Sequence, residues 1–121
     1  MRYVTALLFL MLVPLSSPAH HSSAMFDKSR VIEVAATVQE FQWTNPHVWI
    51  EISFANDAGE DEDWSIEGLG TNSLFRMGWR QNSFQPGQQI TIRFNPMRDG
   101  SQAGGFIGAK FEDGSTLGKW D

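Results

Sequence analysis

The chain has 121 residues, 9 basic and 14 acidic, for a formal charge of −5, and no cysteine. Disulfides, thiolate metal sites and thiol catalysis are thereby excluded, and an acidic chain without a run of Lys or Arg is ill suited to binding a phosphate backbone. The length allows one domain with one modest core.

Residues 1–19 have the layout of a cleavable secretory leader. Met1-Arg2 is basic, Ala6 to Val13 is uninterrupted apolar sequence, and Pro14 ends any helix there. Ser16-Ser17-Pro18-Ala19 then puts small residues at both positions that matter for a cut after Ala19. The apolar run is shorter than the about 20 residues of a membrane-spanning helix, so no stable span is expected after cleavage. Processing removes one charge, Arg2, and leaves 102 residues at a formal charge of −6. The periplasm is the expected destination, with His20 as the first mature residue.

Residues 20–30 are polar and lack periodicity, which reads as a flexible or docked arm. Residues 31–121 carry the domain. In its first strand Ile32, Val34, Ala36 and Val38 share one parity, whereas Phe41 and Trp43 share the other. That switch predicts a bulge near Gln39-Glu40 and a sharp bend, with Val38 and Phe41 both facing the core. The second strand is predicted over residues 47–54, with Val48, Ile50, Ile52 and Phe54 inward. A turn at Asn56-Asp57-Ala58-Gly59 leads to a third strand over residues 63–69, with Trp64 and Ile66 inward.

One helical signal follows. Thr71 or Asn72 can cap a short turn through Met77, and Gly78 suits its C-terminal stop. Trp79, just beyond, is expected to plug one end of the domain. Pro86-Gly87 turns the chain into a fourth strand over residues 89–95, with Ile90, Ile92 and Phe94 inward. The fifth is predicted over residues 106–112, with Ile107, Ala109 and Phe111 of one parity, and Asp113-Gly114 starts a hairpin tail. Three strands, a short helix between the third and fourth, then two strands: this order predicts an all-β, OB-like five-stranded barrel over a sandwich or meander.

The three histidines are the chemistry-bearing residues. His20 and His21 stand together at the expected mature terminus, and His47 opens the second strand on its outward parity beside Trp49. A terminal amine, whose ordinary pKa is about 8, and imidazoles form an all-nitrogen donor set. Such a set suits Cu(II), and Met25 adds a thioether for Cu(I). The competing reading makes His20-His21 a plain tail and His47 a hydrogen-bond partner of the arm. No catalytic residue is assigned. Asp61-Glu62-Asp63 lacks the ligand spacing of a calcium loop, Ser22-Ser23 lacks an oriented base, and Gly104-Gly105 opens a strand rather than a helix. Trp43, Asn45 and Trp49 cluster around the first loop, where OB barrels commonly bind, and form a candidate aromatic face for a glycan, peptide or protein partner.

His20-His21-Ser22 directly after a leader, followed by Val38-x-x-Phe41-x-Trp43-Thr44-Asn45-Pro46-His47-x-Trp49, resembles a family of small exported bacterial proteins of unknown function. Softer matches are Trp64-Ser65-Ile66-Glu67, Gly78-Trp79 and Pro86-Gly87. The resemblance spans nearly the whole mature chain, and its Trp-Thr-Asn-Pro-His block is the specific part. Where that family often has an aromatic after His-His-Ser, this chain has Ser23. The family brings no settled activity, but its pairing of His-His with Asn-Pro-His implies a metal site. The expectation is therefore a periplasmic protein that coordinates copper through His20, His21 and His47. A non-metal module using Trp43 and Trp49 is the alternative, and an enzyme comes last.

Overall fold

A computed structural model of the chain describes residues 23–121. The expected leader, its cleavage point and His20 and His21 lie outside the described residues. Six strands follow a 3-10 turn at Ser23–Met25: β1 (Ile32–Gln42), β2 (Trp49–Ala55), β3 (Asp61–Glu67), β4 (Gln89–Pro96), β5 (Ala103–Phe111) and β6 (Thr116–Gly118). The helix α1 (Thr71–Arg76) lies between β3 and β4.

The long first strand organises the barrel. Its first half, Ile32 to Thr37, pairs with β4, and its second half, Thr37 to Gln42, pairs with β2. Between these halves Val38 pairs with Ile52 and Glu40 with Glu51, so Gln39 is the extra residue of a bulge. The bulge lets residues of opposite parity face one interior, as the sequence predicts: Val38 is fully buried, and Phe41 packs against the buried Phe84 at 5.2 Å. β2 pairs with β3, β4 with β5, and a parallel contact between β3 and β5 closes the five-stranded OB-like barrel. Closure removes the open edges that a sheet of this size would otherwise expose.

Val48, Ile50, Ile52, Ile66, Ile92 and Phe94 fill the interior, in the alternation read from the sequence. Trp79 is buried as well, and meets Phe106 edge-on at 4.9 Å and Phe84 at 5.5 Å. α1 stops where expected, at Gly78 with φ +94°. Its end is a Schellman turn: Gly78 N–H donates to Phe75 and Trp79 N–H to Leu74, which also buries Leu74 and Trp79 together.

Several expected bounds move. β2 begins at Trp49 rather than His47, β3 spans Asp61–Glu67 rather than 63–69, and β5 begins at Ala103 rather than Phe106. The inward residues of β5 also differ. Arg93 pairs with Gly108 and Phe94 with Phe106, so Ile107 is bulged out of the ladder. Phe106 rather than Ile107 therefore joins the core beside Ala109 and Phe111. Alternation cannot show such a switch when both candidates, Phe106 and Ile107, are apolar.

Candidate functional site

The Thr44-Asn45-Pro46-His47 loop joins β1 to β2, and three of its four residues build the surroundings of the fourth. Thr44 Oγ1 donates to the His47 carbonyl oxygen at 2.9 Å and holds the loop tight. Asn45 Oδ1 accepts from both the backbone N–H and the hydroxyl of Thr71, each at 3.0 Å. It thus supplies from another element the cap that α1 lacks locally, since the N-cap residue itself is Gly70. The Asn45–Pro46 peptide bond is cis, and a Cβ on Gly70 would come within 2.9 Å of the Pro46 carbonyl oxygen. Only a glycine lets the loop lie this close.

His47 is the residue this frame presents. Past the end of β3 the ladder continues, with Val48 N–H donating to Leu69 and Gly68 N–H to Val48, both at 2.9 Å. His47 Nδ1 then lies 3.0 Å from the Gly68 carbonyl oxygen and 3.3 Å from Glu67 Oε1. A carbonyl can only accept, so Nδ1 carries the proton, and in the neutral ring the lone pair sits on Nε2. Glu67 is 9% exposed and is the one charged residue among the described residues that is buried. Sequence reading did not select it, because a carboxylate on the outward parity of a strand looks solvated until the strand's tertiary neighbours are known.

His47 and Glu67 line a cavity of about 750 Å³ at the barrel end next to α1. Ser23, Met25, Phe26 and Lys28 of the N-terminal arm line it too. The arm is docked. Phe26 bridges to Met97, Asp27 N–H donates to Pro96 at 2.8 Å, and Arg98 holds the arm twice, by its N–H to Met25 and its Nε to Ala24, each at 2.9 Å. Asp27 is itself anchored by Ser29, whose hydroxyl donates to it at 2.6 Å. That bond above all, with Arg98 and Arg30 adding to it, holds the Asp27 carboxyl below the usual aspartate range.

The sequence-selected residues separate. The structure brings His47, Met25 and Ser23 to one cavity, whereas His20 and His21 lie outside the described residues. Trp43 packs edge-on against Phe41 at 5.8 Å and joins the periphery of the core. Trp49 is half-buried on β2, paired in register with Glu67, and Asn45 is occupied with capping α1. Among the described residues no three His, Cys, Asp or Glu side chains gather into a metal site. A site at His47 would therefore need donors from the residues before Ser23.

Among solved structures the chain is similar to the mitochondrial single-stranded DNA binding protein Rim1 of S. cerevisiae. The identity is 7%, the TM-score 0.51, and the match covers 69% of this chain and 93% of that one, which shows the fold. No curated protein matches the chain. Residues 9–106 match the family described as "Family of unknown function (DUF6152)", and the chain belongs to that family.

Proposed function

We propose that the protein is exported to the periplasm, is cut after Ala19, and coordinates a transition metal, copper foremost, through its new N-terminus and His47. The observation that carries this reading is the approach of the arm to His47. Ser23 and His47 line one cavity, and His20 is three residues before Ser23, a span of at most about 10 Å. The His47 ring is also held as metal-bound histidines usually are, with one nitrogen donating to a carbonyl and a carboxylate alongside. That arrangement fixes the tautomer and turns Nε2 into the donor atom.

The donor set fits the metal. An α-amine and imidazoles are nitrogen ligands, and copper heads the affinity order of first-row divalent ions. Met25, on the same cavity wall, adds a soft thioether that suits Cu(I). The DNA-binding role printed for the yeast protein does not carry over easily, because the mature chain bears a formal charge of −6 and no basic run.

Titration with Cu(II) and Zn(II) tests the reading on three proteins: the processed chain, one with an alanine added before His20, and His47→Ala. The processed chain is expected to bind copper most tightly, and each change to weaken binding by about tenfold or more. Equal affinities in all three would remove the amine and His47 from the ligand set.

A further inference from the structure

Glu67 has more acceptor capacity than its neighbours use. Among the described residues its one polar contact is His47 Nδ1 at 3.3 Å, and that hydrogen already points to Gly68 at 3.0 Å. A carboxylate has about four acceptor positions, and a buried one is expected to meet a positive charge or several donors. Among the described residues no polar side-chain atom is both sealed from solvent and without a partner, so the small exposed part of Glu67 opens on the cavity that it lines. Lys28 and Lys119 line the cavity as well, yet Lys28 Nζ donates to Ser23 Oγ at 3.0 Å, and neither lysine pairs with Glu67.

The cavity also exceeds what a metal ion needs. Its volume of about 750 Å³ falls within the about 300–1,000 Å³ of small-molecule sites, which are mostly apolar with a few placed polar groups. Leu69, Leu74, Met77, Phe106 and Ile107 supply such a wall, with Glu67 at one place in it.

We infer that this cavity binds an organic cation, a molecule whose protonated amine sits against Glu67 and whose apolar body lies along Leu74, Met77, Phe106 and Ile107. The amine offers the charge and the donors that Glu67 lacks, and the body removes apolar wall from water. The inference does not depend on metal binding, which would use His47 Nε2 and the N-terminus.

The test uses the processed protein and three probes of equal length: decylamine, decanol and decanoate. Binding is read by tryptophan fluorescence, to which the cavity-lining Trp79 contributes, and by the rise in thermal midpoint. Decylamine is expected to bind about tenfold or more tightly than either other probe, the worth of a hydrogen-bonded charge pair. Glu67→Gln should abolish that preference and leave decanol binding as it was. Ile107→Trp, which fills the cavity from its wall, should weaken all three probes and carries the test if Glu67→Gln does not fold. Equal binding of the three probes, a preference that survives Glu67→Gln, or wild-type binding by Ile107→Trp would each overturn the inference. Binding of none of them would also overturn it, and would mean that the chain's own residues before Ser23 fill the space.

Discussion

Phe26 lies against Gly105, the residue at the end of the contact that closes the barrel. A Cβ on Gly105 would come within 2.9 Å of the Phe26 ring, and Gly105 is also the partner of Glu67 across the β3–β5 seam. The arm is thus fastened to the barrel by the absence of a side chain. Gly105→Val is expected to lift Phe26 and release the arm while the barrel persists. Hydrogen exchange should speed up at Phe26 and Asp27, with the β1 and β4 amides unchanged. Phe26→Ala should do the same and lower stability by about 3 kcal/mol, the lower end for a buried phenylalanine. If copper affinity stays at the wild-type value in either variant, docking of the arm plays no part in the metal site.

Asn45 caps α1 at a distance of 26 residues in sequence. Asn45→Ala leaves the Thr71 N–H without its acceptor and should lower stability by about 1 kcal/mol, as cap removals do. Asn45→Asp keeps the acceptor and should recover most of the loss. Thermal unfolding of the three proteins checks this, and an Asn45→Ala midpoint equal to wild type would show the cap to be idle.

Ile50 is fully buried on β2, opposite Phe41 and Ile66. Ile50→Asp places a carboxylate there without a partner, and the protein should lose its folded near-ultraviolet signal at neutral pH. Ile50→Val removes one methylene and should cost about 1 kcal/mol. A folded Ile50→Asp protein would contradict the interior described above.

Glu62 accepts from Trp64 Nε1 and from Asn56 Nδ2, both at 3.0 Å. The Trp64 bond first, and the Asn56 bond second, hold its carboxyl below the usual glutamate value. With the folded value lower than the unfolded one, its contribution to stability is complete above the unfolded value and fades as the pH falls through the folded one. Between about pH 5 and about pH 3 the wild-type thermal midpoint should therefore drop more steeply than that of Glu62→Gln. Parallel curves would show that these two bonds do not favour the charged form.

Processing is checked by intact mass of the exported protein. The expected product begins at His20 and has 102 residues. A mature chain that starts elsewhere would remove the terminal amine of His20 from the proposed ligand set.

Much of the barrel was legible because one-faced burial imprints period two on β1, β2 and β4, and a parity switch inside β1 could only be a bulge. The second bulge was illegible for the same reason in reverse. Phe106 and Ile107 are both apolar, and Ala103-Gly104-Gly105 gives no pattern at all, so the start of β5 lies three residues before the predicted one. At the site, His47 stood out by its residue type. Glu67 did not, because its burial depends on the β3–β5 closure that pairs it with Gly105, a contact between residues far apart in the sequence. Asn45 stands in the predicted loop, but its bond to Thr71 is not legible in the sequence because tertiary packing sets that pair.

The barrel is closed by its shortest joint. Between β3 and β5 only Ser65–Ala103, Ile66–Gly104 and Glu67–Gly105 are paired, whereas β1 and β4 share six pairs and β2 and β3 seven. Two of the three residues on one side of that joint are glycines, which contribute backbone bonds and almost no side-chain packing. Where a closed cylinder has one weak stave, opening of the cylinder itself is expected to begin there. The stave carries Glu67, and His47 is bonded to the next residue, so the wall of the cavity is also the part of the cylinder expected to open first. Entry to the cavity and the first step of unfolding are then expected to share a single movement, and a molecule that fills the cavity to keep the cylinder shut.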